Sequence, residues 1–242
     1  MMRNVSIDLG PAAGFAALIL ALVAPGAVSA GVFTPPEGCT LNMTVQSRSC
    51  TVAQHYTCAG DNPGDMRTTY FGPDGPKHIS LIDKETRWIE TQDPRTGIID
   101  RLASGNADEA SFSTLLSTGR DDFDFWTESE TGERLHHVGY DKLTGKTMVI
   151  DGETLEQTEF SLTTSDSAGQ VLWERTGNQF ISRKDGRFYG GIERAKDWTG
   201  LNETTNDSPV TFIKPGERGF GDTTPQYDCD MQMVNMPGGN NA

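Results

Sequence analysis

The chain has 242 residues and a net charge of −14, with 34 acidic against 20 basic side chains. That balance excludes a nucleic-acid binder, whose phosphate contacts need clustered Lys and Arg, and disfavours adsorption to anionic lipid heads. Hydrophobic content of 35%, with 27 Gly and 12 Pro, describes a turn-rich chain with a thin core rather than a helical one.

Arg3 opens the chain. An almost wholly apolar run follows from Ala12 to Pro25, and Ala27-Val28-Ser29-Ala30 closes it in a small-x-small pattern. This reads as a secretory signal peptide over 1–30, too short to span a bilayer, with cleavage expected before Gly31. The rest of the chain has no run of apolar residues long enough for a transmembrane helix. A periplasmic or secreted location is therefore expected.

All four cysteines, Cys39, Cys50, Cys58 and Cys229, lie beyond the expected cleavage point. An even number in an oxidising compartment predicts two disulfides, and no C-x-x-C metal spacing competes. Three of the four fall between 39 and 58, so any complete pairing ties Cys229 back to that segment. Such a loop, roughly 170 to 190 residues long, stabilises by about 5 kcal/mol in the chain-entropy model. If 49–57 is one extended strand, Cys50 and Cys58 stand about 26 Å apart at ~3.3 Å per residue. Cys39 is then left to pair with Cys50 or with Cys58.

Residues 31–66 form a Cys-containing entry segment without a long periodic run. From 67 to about 230 the pattern is a series of short strands. Phe123 and Phe125 alternate with Asp124, Leu135 with His136, and Phe160 and Leu162 with Ser161. Period-two alternation marks a sheet with one dry and one wet face. Asp151-Gly152 and Asp185-Gly186 each suit a two-residue type I′ hairpin. The first predicts that Ile150 faces Glu153 and Met148 faces Leu155. Residues 108–116 fit either a short helix or a strand. Residues 197–207 are polar and read as a loop, and 231–242 as a flexible tail. The expected fold is all-β: an antiparallel meander of about ten to thirteen short strands, arranged as a barrel, half-barrel or sandwich.

Chemical motifs are sparse. No Gly-x-Ser-x-Gly elbow, His-Glu-x-x-His pair, phosphate loop or dinucleotide fingerprint occurs, and no cofactor is expected. His136 and His137 are adjacent, so on a strand they face opposite sides and do not chelate one metal together. His137 shares a face with Leu135. His55 and His78 are isolated. The acidic stretch Asp121, Asp122, Asp124 with Glu128, Glu130 and Glu133 is rich in oxygens that suit calcium, but lacks the spacing and Gly of an EF-hand. Met231, Met233 and Met236 are soft donors of the kind that suit Cu(I). The aromatics, including Trp88, Trp126, Trp173 and Trp198, suit a core or, if the sheet curls, a pocket wall. Phe160 and Leu162 on one strand and Val171 and Trp173 on the next are the expected wall residues.

These features lead to a non-enzymatic exported β protein that binds a ligand or an envelope partner. Two alternatives stand beside it. One is an exported hydrolase with a dispersed site around His136 or His137 and Asp121 to Asp124. The other is a structural or assembly protein of the envelope.

Overall fold

The computed structural model describes residues 31–230. The expected leader and its cleavage point, and the methionines at 231, 233 and 236, lie outside the described residues. Strands β1 (Cys39–Ser47), β2 (Thr51–Cys58), β3 (Met66–Gly72), β4 (Gly75–Ile82), β5 (Trp88–Gln92) and β6 (Ile99–Leu102) come first. A helix, α1 (Phe112–Thr118), precedes β7 (Arg120–Ser129), β8 (Arg134–Ile150), β9 (Glu153–Asp166) and β10 (Val171–Ser182). The chain continues through β11 (Arg187–Tyr189), β12 (Ile192–Asp197), β13 (Asn202–Asn206) and β14 (Pro209–Ile213).

All fourteen strands join one antiparallel sheet in the order β13-β12-β10-β9-β8-β7-β6-β5-β4-β3-β2-β1-β14, with β11 also on β10. The all-β meander is therefore as expected, with two corrections of detail. The count is fourteen rather than ten to thirteen, and β8 and β9 are long ribbons of 17 and 14 residues. Beyond the expected series, β1 and β2 come from the entry segment, and β13 comes from 197–207, which the absence of apolar residues marked as loop. Asn202–Asn206 nevertheless pairs with β12 as an exposed edge strand, where no apolar face is required.

The two edges of this sheet, β13 and β14, are consecutive in the chain. Only Asp207 and Ser208 separate them, a span of at most about 11 Å. The sheet must therefore curl until its edges meet at that corner, although β13 and β14 form no ladder with each other. Hydrogen bonds hold the corner. Ser49 Oγ donates to the Asn206 carbonyl (2.8 Å), Arg48 N to Ser208 O (3.0 Å) and Asp207 N to Gly191 O (2.8 Å). Further along, Phe212 N donates to Asp151 Oδ2 (2.8 Å), so β14 reaches the tip of the β8–β9 hairpin. A core of Val45, Ala53, Leu155, Phe180, Tyr189 and Phe212 fills the space where these edges converge.

The first Asp-Gly turn has the expected register: Ile150 faces Glu153 and Met148 faces Leu155, with φ of 48° at Asp151 and 80° at Gly152. The second does not. Ser182 pairs with Arg187, so four residues connect β10 to β11 and only Gly186 has positive φ (62°). Asp185 is held instead by Ser182 and by the Tyr189 hydroxyl, which donates to its carboxylate at 3.1 Å.

Helix α1 resolves the ambiguity of 108–116. Ser111 caps it by accepting from Thr114 N, and Gly119 ends it in the left-handed conformation. Phe112 and Leu115, three apart, pack one face onto Ile181, Leu143 and Phe188. The helix thus plugs one end of the curl.

The disulfides are Cys39–Cys58 and Cys50–Cys229. The first staples β1 to β2, where Cys39 and Cys58 are direct partners. The second pins the C-terminal strap across the outer face of the same strands. Gln54 Nε2 donates to Asp222 O (2.7 Å), Gln46 Nε2 to Thr224 O (3.0 Å), and Gln226 N to Gln46 Oε1 (3.1 Å). Both glutamines have no solvent exposure. The strap satisfies polar groups that a plain sheet face would leave to water. The entry segment 31–66 accordingly supplies two strands of the same sheet, and β2 is buried on both sides from Val52 to Tyr56.

Candidate ligand cavity

The curl encloses a cavity of about 730 Å³. Strand alternation builds its wall. Phe123, Phe125 and Thr127 on β7 face Gly139, His137 and Leu135 on β8, and Leu162 and Thr164 on β9 face Gly139 and His137 in turn. Phe160, Leu162, Leu135, Phe123 and Phe125 form an apolar wall on this side, and Trp88 and Leu81 extend it across β5 and β4. The Trp88 ring packs edge-on to Phe125 (5.5 Å) and to His137 (5.3 Å).

Of the four expected wall residues, Phe160 and Leu162 line the cavity. Val171 does not: it is 43% exposed. A register shift between Val171 and Trp173 breaks the alternation, so the two do not share a face. Trp173 is half-buried beside the Arg175 guanidinium, 5.6 Å from its ring, and lies outside the lining.

The two adjacent histidines part, as their neighbours' parity requires. His137 is buried inside. Its Nε2 lies 2.9 Å from Thr127 Oγ1 and its Nδ1 3.1 Å from Thr164 Oγ1. Burial, with smaller effects from His136 and Arg175, pushes its pKa down to about 4, so it is neutral at pH 7. His136 stacks on Trp126 (4.3 Å) on the other face and meets Asp124 Oδ1 at 2.6 Å. Asp121 and Asp124 likewise separate. Asp121 accepts from Ser111 N (2.8 Å) under α1, while Asp124 stays with His136. Among the described residues no group of three or more His, Cys, Asp or Glu side chains is placed to hold a metal ion. The weak metal candidates His136, His137, Asp121 and Asp124 therefore do not assemble into one site, because alternation sends them to different faces.

Four features of the cavity were not legible in the sequence. Asp141, directly opposite Asp121 on β8, lines the cavity. Burial, reinforced by Asp121, lifts its pKa to about 7, and Asp121 itself rises to about 6, mainly through burial. His78 on β4 faces the cavity, with its pKa lowered by burial. Arg175 reaches in from β10 and pairs with Glu193 at 3.5 Å. Arg187 is the fourth. It begins β11, is only 6% exposed, and contacts the Nδ1 of His55, itself 3% exposed.

Backbone packing explains how Arg187 reaches the interior. β11 and β12 both pair with β10, against Phe180–Ser182 and Trp173–Gly177 respectively. They are two pieces of one line, broken at Gly190–Gly191. A Cβ on Gly191 would lie 2.3 Å from Asn178 O, and one on Gly190 would lie 2.8 Å from Asp207 O. Only glycine permits this close passage. Arg187 and His55 also line a second, smaller cavity of about 390 Å³ with Met43, Met66, Glu153 and Lys214, so they stand between the two spaces.

No family model, no characterised protein and no solved structure matches this chain.

Proposed function

We propose that the protein is an exported binding protein that carries a small apolar or amphipathic molecule inside its curled sheet. One observation carries this reading: beside its packed clusters the curl holds a cavity of about 730 Å³ with an aromatic and aliphatic wall on one side. That volume lies within the range of ligand pockets, ~300–1,000 Å³, and its wall joins an apolar side to one rich in polar and ionisable groups, which suits an amphipathic guest. The two disulfides suit an oxidising compartment. Among the described residues no helix is long and apolar enough to cross a membrane.

The test is a titration with a hydrophobic fluorescent probe. The wild type is expected to bind it saturably, near one probe per chain. Leu162→Trp, which adds bulk to the wall at a residue facing Gly139, should abolish binding while the far-UV dichroism stays β-like. A wild type that takes up no probe, or a variant that binds it equally well, contradicts the proposal.

A further inference from the structure

We infer that the ligand is an amphiphile with a monoanionic, carboxylate-type head, and that Arg187 and His55 receive that head. The inference rests on the carrier reading above and adds the chemical class of the ligand.

Arg187 is a buried cation without a counter-ion. Among the described residues no carboxylate forms an ion pair with it. Its side-chain hydrogen-bond partner among the described residues is His55, and its Nε has none. A guanidinium only donates hydrogen bonds, so the His55 Nδ1 that it meets must act as acceptor. The remaining proton of the neutral ring then sits on Nε2. His55 is neutral because burial first, and the Arg187 charge second, hold its pKa well below the ordinary value. That Nε2–H is buried and has no acceptor among the described residues either. Two donors, on adjacent side chains more than nine-tenths buried, are thus left unanswered where two cavities meet. Buried donors without acceptors are rare in native proteins and call for an explanation. A carboxylate supplies the acceptors that such donors lack, and a planar guanidinium is the side chain suited to it.

Charge sets the valence of the head. The nearby lysines, Lys184 and Lys214, both lie on Glu153, at 3.1 Å and 2.6 Å. Asp185 is engaged by Ser182 and Tyr189. The Tyr70 and Tyr189 hydroxyls have raised pKa values through burial and stay neutral. Among the described residues around this junction, the Arg187 charge is the one left without an ion pair, and a monoanion balances it; Lys77, which also lines the larger cavity, has Asp207 as its neighbouring charge. The apolar wall of Phe160, Leu162, Phe125 and Trp88 belongs to the same cavity, so the tail has its own surface.

The experiment compares dodecanoic acid, its methyl ester and dodecanol, each displacing the fluorescent probe at pH 8. The acid should bind the wild type about tenfold or more tightly than the ester or the alcohol. Arg187→Met should remove that preference and leave ester binding in place. Nitrogen-15 NMR of the wild type provides a readout that needs no variant: the acid should shift the Arg187 Nε and His55 Nε2 signals, and the alcohol should leave them unmoved. Equal affinity for acid and ester, or no shift of those signals with bound acid, overturns the head-group assignment while the carrier reading stands. If none of the three ligands nor the probe binds, both fall.

Discussion

At the scale of single residues, the interior holds ionisable groups whose burial works in opposite directions. Asp141 and Asp121, lifted to about 7 and about 6, hold protons in the folded state that the unfolded chain has released above pH ~4. Their contribution favours folding at low pH and is lost as pH rises through about 6 to 7. His137, pushed down to about 4, does the reverse: its contribution is intact above ~6.5 and is lost as pH falls towards 4. Replacing Asp141 with Asn removes its share of the first slope and leaves those of Asp121 and His137. Urea denaturation should show Asp141→Asn stabilising at pH 8 by on the order of 2–4 kcal/mol more than at pH 4. The same difference at both pH values would mean that Asp141 is not held protonated by its surroundings. These residues were not legible from sequence, because an acid among alternating strand residues reads as a wet-face residue until the opposite face is known to be enclosed. Arg187 was hidden for the same reason. A basic residue just after a turn suggests solvent, and only the Gly190–Gly191 break and the curl turn it inward.

At the scale of elements, local chemistry was readable where a short stretch decides the outcome. Asp151-Gly152 fixed its hairpin because both turn residues tolerate positive φ, whereas 108–116 fitted helix and strand alike until the Ser111 and Gly119 caps of α1 decided it. Apart from the Asp185-Gly186 turn, which a four-residue connection replaces, failures came where pairing depends on distant partners. Asn202–Asn206 has no apolar residue to announce a strand, and the register shift after Val171 sent that side chain outward. The Cys arithmetic narrowed the disulfides to two arrangements, and direct pairing of Cys39 with Cys58 across β1 and β2 chooses between them. The long loop closed by Cys50–Cys229 matters because it holds the strap over Gln46 and Gln54. Cys229→Ser should lower stability by about 2–5 kcal/mol in urea denaturation. Hydrogen exchange at the Gln46 and Gln54 side-chain amides should quicken with it. An unchanged midpoint would mean that the hydrogen bonds hold the strap without the disulfide.

At the scale of the whole molecule, the decisive fact is that the first and last members of the strand order are neighbours in the chain. A two-residue link between β13 and β14 forces a fourteen-stranded sheet to close on itself as far as its edges allow, and α1 plugs one end. The sheet is wide enough that its inward side chains line a space instead of filling it. The central claim is that this space takes up a ligand. Native mass spectrometry, after incubation with a total lipid extract and removal of the excess, tests it most directly. One small-molecule adduct per chain is expected for the wild type, and its loss in Leu162→Trp. The mass of the bare chain alone, in wild type and variant alike, would contradict it.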